Sequence, residues 1–332
     1  MKEIIIVSIC CQTYNHKNYI EQALDSFLMQ KTNFEFEILL RDDASIDGTK
    51  EICKTFADKY PDKINLLDYE KNQYKLGISP FRDNVKRARG KYIAICEGDD
   101  YWTDPLKLQK QVDFLEANEK YGLVHTQLEY KFGNSKESIV SKTDRRKNKF
   151  DELIKHNSIA TLTTCFRKEL LLNYLDDVKP NCKPWVAGDL PMWLWFSLHS
   201  NIYYLDEVTS MYRVVEGSAS NTKTSEKYLE FIKSRRSIKE YFINNYQPND
   251  DLIQFVVEDF YKDAKFHVLK LRDKAIINEM SNYFYSKKKK IVFAYFFIMM
   301  DKIFNYPLLY KFCFNVYRVY YRFIKKHKKY EQ

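Results

Sequence analysis

Short apolar runs alternate with amphipathic segments over the first part of the chain. Four runs have the length and the β-branched content of buried strands: residues 4–11, 34–40, Ile64–Asp68 and 91–96. The segments between them carry apolar residues at helical spacing, and they cover residues 18–30, 50–60 and 79–89. This alternation predicts an α/β fold in which a twisted, mainly parallel sheet is flanked by helices.

Clusters of polar residues follow directly after three of these apolar runs. They are Gln12, Thr13, Tyr14 and Asn15 after the first run, Asp42 and Asp43 after the second, and Glu97, Asp99 and Asp100 after the fourth. Because the carboxyl ends of parallel strands meet at one edge of a sheet, we expect the three clusters to converge there. Any one of them is also compatible with ordinary turn chemistry. Together they predict a nucleotide pocket.

The third cluster, residues 97–100, carries three carboxylates in four positions and is called the acidic loop below. Clustered carboxylates raise one another's pKa unless a cation lies among them. A hard divalent ion, Mn²⁺ or Mg²⁺, shared with substrate phosphates would suit such a loop. The alternative is a solvated acidic turn before the next helix, for which Asp104 and Pro105 provide an N-cap and a first residue.

Composition limits the partners and the compartment. The chain has 332 residues, room for more than one module, and a formal net charge of +9, which suits a nucleotide, a nucleic acid or a membrane surface without choosing among them. Its seven cysteines are odd in number and lack C-x-x-C spacing, so we expect reduced core residues without disulfides or zinc. No signal peptide and no membrane-spanning stretch is visible, which predicts a cytoplasmic protein.

The second half of the chain continues with mixed elements. We predict a strand over residues 123–132, a flexible lysine-rich loop over 133–149, a strand over 159–166 and a helix over 170–178. Two strands, residues 202–206 and 208–213, follow an apolar helix over 191–198. Asp189 precedes that helix, where a structural N-cap is common. We divide the chain into residues 1–125, 126–222 and 223–332.

Four stretches resemble the family 2 glycosyltransferases of the GT-A fold in combination and in order. They are VSICCQTYNH, ILLRDDASIDGTKEI, the Asn72, Gly77 and Asn84 positions before GKYIAI, and EGDDYWTDPLKLQKQ. The resemblance covers about two-thirds of the chain. It implies an inverting transfer of a sugar from a nucleotide diphosphate sugar, most simply a UDP-sugar, with a divalent metal.

The resemblance assigns roles by position. Gln12, Thr13, Tyr14, Asn15 and Asp43 would hold the base and ribose, and Asp99 and Asp100 would bind the metal. Glu97 stands where the family usually has Asp, and it also faces the donor. Arg213 would approach the diphosphate, and Arg82 either does so too or lies on a solvated helix face. Val215 replaces a histidine common in the family. Asp189 would be the general base, since a carboxylate can accept the proton of a sugar hydroxyl. Trp185 and Trp193 are either core residues or a wall of the acceptor site.

The C-terminal region, residues 223–332, is helical in pattern, basic and aromatic. Helices are predicted over residues 228–246 and 252–271, followed by four lysines at 287–290, an aromatic stretch at 291–321 and lysines at 325–329. The region is either an in-plane anchor on anionic lipid or a helical cap. No RNA-binding motif accompanies the basic residues, so we expect no nucleic-acid partner.

The predicted acceptor is a saccharide or a lipid-linked saccharide at the inner face of the cell membrane, in surface polysaccharide or glycan synthesis. Two other functions fit parts of the pattern. A nucleotidyltransferase would also use a sheet edge and a metal, but the residues after the first strand lack its glycine-rich phosphate loop. A membrane- or glycan-binding protein on an inactive scaffold would not need Asp99, Asp100 and Asp189, which are all present.

Overall fold

The computed structural model describes residues 4–77, 80–133, 137–142, 144–186, 188–215, 224–286 and, near the C-terminus, residues 311, 313–315, 317 and 318. The chain divides into two compact units. The first consists of Met1–Pro184 and Gly188–Ser218, and the second of Trp185–Ala187 and Ala219–Gln332.

The first unit is built on one mixed sheet. Its strands are β1 (Ile5–Thr13), β2 (Glu35–Asp42), β3 (Ile64–Asp68), β4 (Tyr92–Ile95), β5 (Tyr101–Trp102), β6 (Tyr121–Phe132), β7 (Ser138–Val140), β8 (Cys165–Arg167) and β9 (Asn201–Val214). They lie in the order β3-β2-β1-β4-β8-β6-β9-β5, and β7 pairs with β6. The first four strands are parallel, as predicted. Strand β8 runs antiparallel to β4 and β6, and β9 runs parallel to β6.

Seven helices accompany this sheet within the described residues. They are α1 (Ile20–Leu28), α2 (Thr49–Lys59), α3 (Pro80–Arg87), α4 (Lys107–Ala117), α5 (Phe150–Lys155), α6 (Lys168–Val178) and α7 (Leu190–His199). The apolar runs of β1 and β2 are buried along nearly their whole length. That pattern is expected of parallel strands, whose two faces are both covered. The α/β fold predicted from the sequence is therefore confirmed.

Two details of the prediction are wrong. The segment 133–149 is not simply a flexible loop, because Ser138–Val140 pairs with β6 and the Arg145 side chain is buried. The Arg145 guanidinium donates to Gln127 and to the backbone oxygen of Ser158 at 2.9 and 2.7 Å. The two strands predicted over residues 202–213 form one strand, β9, whose pairing with β6 is interrupted by a bulge at residues 206–207.

Two boundaries also differ from the prediction. Residues 161–163 form a 3₁₀ turn before the short strand β8, where a longer strand was expected. Helix α4 begins at Lys107 and not at Pro105. Asp104 nevertheless stabilises this start, since its carboxylate accepts the backbone N–H of Leu106 at 2.8 Å.

The second unit is helical where it is described. It contains α8 (Ser225–Tyr246), α9 (Asp250–Leu271) and α10 (Lys274–Ser286). Thr224 and Asn249 cap α8 and α9, each accepting a backbone N–H of the first turn. Within the described part of the chain, no helix is long and apolar enough to cross a membrane. The predicted membrane-binding residues 287–290 and 325–329 lie outside the described residues, as does most of the aromatic stretch between them.

Candidate active site

The three polar clusters meet at one edge of the sheet, as predicted. Thr13 at the end of β1 lies opposite Asp42 at the end of β2. The backbone N–H of Asp43 donates to the carbonyl oxygen of Thr13 at 3.0 Å, and that of Gly98 donates to the carbonyl oxygen of Gln12 at 2.9 Å. The first cluster therefore lies between the other two.

Gly98 permits the close approach of the acidic loop to β1. A Cβ atom at this position would lie 2.7 Å from Oγ1 and 2.8 Å from Cβ of Thr13, closer than side-chain atoms approach one another. Any larger residue would push the loop away from the strand. The single glycine between Glu97 and Asp99 thus holds the two carboxylates over the end of the sheet.

The carboxylates of the acidic loop are held close together and partly out of water. Asp100 is only 3% exposed. Burial, followed by the negative charges of Asp99 and Glu97, raises its pKa well above the usual range. Burial and the charge of Asp99 raise the pKa of Glu97 to about 7, and Asp189 adds to this rise. Such a group is stabilised either by protons or by a cation.

Arg213, at the end of β9, contacts the acidic loop directly, as the sequence led us to expect of a basic residue near the donor. Its backbone N–H donates to Oδ1 of Asp100 at 2.7 Å, and its Nη1 donates to the carbonyl oxygen of Asp99 at 2.5 Å. Nη2 donates to Oε1 of Gln22 on α1. The arginine is 8% exposed, so the sheet edge contains a buried positive charge beside the carboxylates.

His16 also faces the acidic loop, and the sequence prediction missed it. Its Nε2 lies 3.9 Å from Oδ2 of Asp99, and its backbone N–H donates to Oγ1 of Thr49 at 2.8 Å. Burial lowers the pKa of its imidazole, although the charge of Asp99 opposes this. The signal was available, because His16 directly follows the polar cluster that ends at Asn15.

The predicted base-binding residues divide into two groups. Oε1 of Gln12 and Oγ1 of Thr13 are buried and have no hydrogen-bond partner among the described residues. Asp43 and Asn15 instead hold loops of the protein. The Asp43 carboxylate accepts the backbone N–H groups of Gln73 and Tyr74 at 2.8 and 3.1 Å.

Three other residues predicted to bind the donor remain to be placed. The Asn15 side-chain oxygen accepts the backbone N–H of Ile46 at 3.0 Å, which fixes one loop against the other. Tyr14 is 36% exposed, at the surface of the same edge. The side chain of Arg82 lies outside the described residues.

Asp189 is brought to the acidic loop from a segment about ninety residues away in sequence. It occupies the N-cap position of α7, yet its side chain makes no capping hydrogen bond. It accepts instead a hydrogen bond of 3.4 Å from Nδ2 of Asn157. Burial raises its pKa, and nearby N–H groups, including those of Asn157 and Trp193, partly offset the rise.

The two tryptophans predicted as either core residues or acceptor contacts have different surroundings. Trp193 is fully buried against Phe166 and Phe196, so it is a core residue and presents no face to a sugar. Its indole N–H has no complete hydrogen bond among the described residues, although it lowers the pKa of Asp189. Trp185 belongs to the second unit, where its ring packs on Tyr241 and Phe242.

The residues of the acidic loop fit a hard divalent cation. Their donors are carboxylate oxygens, which Mg²⁺ and Mn²⁺ prefer, and the raised pKa values of Glu97 and Asp100 reflect first burial and then the charges of neighbouring carboxylates. Across the described ranges, no group of three or more His, Cys, Asp or Glu residues is arranged to enclose an ion.

Comparison with known proteins gives the class of this site. Residues 8–172 match the family model described as Glycosyl transferase family 2. An uncharacterized protein of Mycobacterium tuberculosis is 35% identical over 181 residues, 54% of this chain and 51% of that protein. The putative teichuronic acid biosynthesis glycosyltransferase TuaG of Bacillus subtilis is 27% identical over 221 residues, 66% of this chain and 82% of TuaG. The chain thus spans about half the length of its mycobacterial relatives.

Solved structures share the fold. S. aureus TarS 1–349 in complex with UDP-GlcNAc aligns with a TM-score of 0.55 at 19% identity, over 86% of this chain and 93% of TarS. The mannosyltransferase PcManGT of Pyrobaculum calidifontis, in complex with GDP-Man and Mn²⁺, aligns with a TM-score of 0.54 at 14% identity, over 90% and 87% of the two chains. The fold is that of the GT-A glycosyltransferases. The chain belongs to glycosyltransferase family 2 through the domain at residues 8–172.

Proposed function

We propose that the chain transfers a sugar from a nucleotide diphosphate sugar to an acceptor hydroxyl with inversion at the anomeric carbon. One observation carries the proposal. Asp189 lies near enough to the acidic loop to raise the pKa of Glu97, although the two segments are far apart in sequence. A site that combines a cation-binding loop with a separate proton-accepting carboxylate suits glycosyl transfer.

The donor would lie across the carboxyl ends of β1, β2 and β4. We propose that its base and ribose contact Gln12, Thr13, Tyr14, Asn15 and Asp43. Glu97 would also bind the donor, and Arg82 would approach its diphosphate. The unpaired oxygens of Gln12 and Thr13 support this assignment. The donors named in the TarS and PcManGT structures are UDP-GlcNAc and GDP-Man. We favour a UDP-sugar for this chain.

Asp99 and Asp100 would hold a divalent cation, Mn²⁺ or Mg²⁺. When bound, such an ion would stabilise negative charge on the leaving diphosphate. The protein's own contribution is to keep the two carboxylates on a short loop, with Gly98 against Thr13 and the backbone N–H of Arg213 on Asp100. Mn²⁺ is named with PcManGT, which supports a metal for this fold.

Asp189 would act on the acceptor side as the general base. Its raised pKa increases its affinity for the proton of the attacking hydroxyl, and the Asn157 amide orients one of its oxygens. The proton passes to a carboxylate oxygen of Asp189 as the acceptor oxygen bonds to the anomeric carbon and the bond to the diphosphate breaks. This single displacement inverts the configuration. Trp185 remains a proposed contact for the acceptor.

The acceptor class follows from relatives and from the C-terminal region. TuaG is named for teichuronic acid biosynthesis, so we propose a saccharide or lipid-linked saccharide in surface polysaccharide synthesis. A basic stretch such as residues 287–290 would attract anionic lipid, which would place the protein peripherally at the inner face of the cell membrane. Flotation with anionic vesicles, compared with a variant carrying glutamine at the four lysines, tests this location.

The function is tested by measuring release of nucleoside diphosphate from UDP-, GDP- and dTDP-sugars, with and without Mn²⁺ or Mg²⁺. We expect metal-dependent release from one donor, and loss of that release in Asp100→Ala. Slow transfer to water reveals the donor even when the acceptor is unknown. Absence of both release and nucleotide binding in folded protein would contradict the proposal.

A further inference from the structure

Arg213 connects three parts of the first unit at one side chain. Its backbone binds the Asp100 carboxylate, and its guanidinium binds the carbonyl oxygen of Asp99 and the side-chain oxygen of Gln22. The guanidinium also lies over two aromatic rings, 4.3 Å from the centre of Tyr101 and 5.2 Å from that of Tyr19. The Arg213 guanidinium, at the end of β9, therefore links the acidic loop to the start of α1.

These contacts use the particular chemistry of arginine. A guanidinium is planar and donates from a rigid fork, so it can bond two oxygens while its faces lie on aromatic rings. A lysine ammonium cannot reproduce both bonds and the stacking. Because Arg213 is only 8% exposed, its charge depends on the nearby carboxylates and carbonyl oxygens for stabilisation.

We propose that Arg213 is a positioning residue which, held in place by Gln22, keeps the acidic loop in the conformation that the donor site requires. This proposal rests on the proposed function. It differs from the diphosphate contact implied by the family resemblance, because the observed guanidinium bonds end on protein oxygens. Arg213 acts on the reaction through the loop, and Gln22 acts through Arg213.

Gln22 makes the proposal testable without disturbing the core. Gln22 is an exposed residue, so the Gln22→Ala variant should fold normally. Glu21→Ala, which changes the neighbouring exposed residue of α1, is the matched control. Arg213→Lys keeps the positive charge and removes the fork. The double variant Gln22→Ala/Arg213→Lys completes a thermodynamic cycle.

The first measurement is amide hydrogen exchange in the ligand-free full chain. We expect faster exchange at residues 97–102 in Gln22→Ala and Arg213→Lys than in the wild type or Glu21→Ala. Loss of the hydrogen bonds of the guanidinium would let the acidic loop move more freely. Unchanged exchange of this segment in both variants would overturn the proposal. This measurement does not depend on the donor, the metal or any activity.

The second measurement is titration of Mn²⁺ into the same proteins with UDP present. We expect a loss of Mn²⁺ affinity of about tenfold in Arg213→Lys and about threefold in Gln22→Ala, from the usual worth of charged hydrogen bonds. The double variant should be no weaker than Arg213→Lys, because Gln22 reaches the loop only through the guanidinium. Wild-type affinity in Gln22→Ala, with weakened metal-free UDP binding in Arg213→Lys, would instead indicate a direct diphosphate contact and overturn the proposal.

The two measurements separate this proposal from the proposed function. Loosened loops in a protein that binds no nucleotide diphosphate would support the positioning role and contradict the glycosyltransferase assignment. Normal donor binding with no change in loop exchange would support the assignment and contradict the positioning role.

Discussion

The acidic loop and Asp189 contain the same functional group in two different electrostatic settings. In the loop, burial and neighbouring carboxylates together raise the pKa of Asp100, with Arg213 as the opposing positive charge. At Asp189, burial raises the pKa, and the opposing groups are hydrogen-bond donors of the backbone, Asn157 and Trp193. Burial is the largest cause in both settings. In the loop, neighbouring carboxylates add repulsion between like charges, whereas at Asp189 the remaining causes are hydrogen bonds that offset the rise.

The difference separates two chemical tasks. Repulsion within the loop is relieved most effectively by a cation, which all the carboxylates can share. A carboxylate that is partly desolvated and flanked by N–H donors is better suited to accept one proton at a defined oxygen. Pairs of titratable groups in contrasting environments often carry distinct roles in one reaction. Four changes test whether this contrast holds.

The largest effect is expected for Asp189→Asn. The amide cannot accept the proton of the acceptor hydroxyl, so turnover should fall by about 10²- to 10⁴-fold while nucleotide and metal affinity stay near wild type. Transfer to acceptor, with a parallel titration of UDP and Mn²⁺, measures both. Asp176→Asn, which changes an exposed carboxylate on α6, is the control. Equal losses in affinity and turnover would mean that Asp189 contributes to cation binding as the acidic loop does, and that the two sites do not have separate roles.

Asp100→Asn should weaken binding of the cation by the acidic loop. The asparagine oxygen can still accept the Arg213 N–H, so the fold is preserved, but one negative charge is lost from the loop. We expect Mn²⁺ affinity to fall about tenfold or more, as the ion loses a charged oxygen ligand. Calorimetric titration in the presence of UDP measures the change. Wild-type metal affinity in this variant would show that the loop is a solvated turn.

Glu97→Gln tests the repulsion in the loop through stability. The folded state raises the pKa of Glu97 from 4.5 to about 7, so it binds a proton more tightly than the unfolded chain does. The contribution of Glu97 is therefore fully present below about pH 4.5 and is lost as pH rises to about 7. In metal-free protein, the wild-type free energy of unfolding should fall relative to Glu97→Gln across this range, by on the order of 1 kcal/mol since Glu97 is only partly buried. A constant difference between the two proteins would mean that Glu97 does not titrate there.

The smallest effect is expected for Trp193→Phe. Loss of the indole N–H removes a group that lowers the pKa of Asp189, so that pKa should rise and the acidic limb of the pH–rate profile should move to higher pH. Turnover at pH 7 should fall only about twofold, because the missing interaction is not a complete hydrogen bond. Trp195→Phe is the control, since the Trp195 indole donates to Asp177 at 2.7 Å. An identical shift in both variants would indicate a packing effect.

The parallel half of the sheet could be predicted from sequence because its signals are local. Each apolar run is followed by polar residues and an amphipathic helix, and parallel strands bring their carboxyl ends together wherever such units repeat. The lysine-rich segment 133–149 misled the prediction. Its composition is typical of a loop, yet Arg145 is buried through contacts with residues 127 and 158, which the local sequence cannot reveal.

By itself, the amino-acid sequence determined the fold class, the presence of four parallel strands and the clustering of Gln12–Asn15, Asp42–Asp43 and the acidic loop at one edge. These features depend on residue pattern and short-range connection. Only the tertiary structure decided that His16 faces Asp99, that Arg213 bonds Gln22 and the loop, and that Trp193 packs against Phe166 in the core. Side-chain partners between distant segments depend on how the helices and strands pack. A single sequence carries little local signal for that packing.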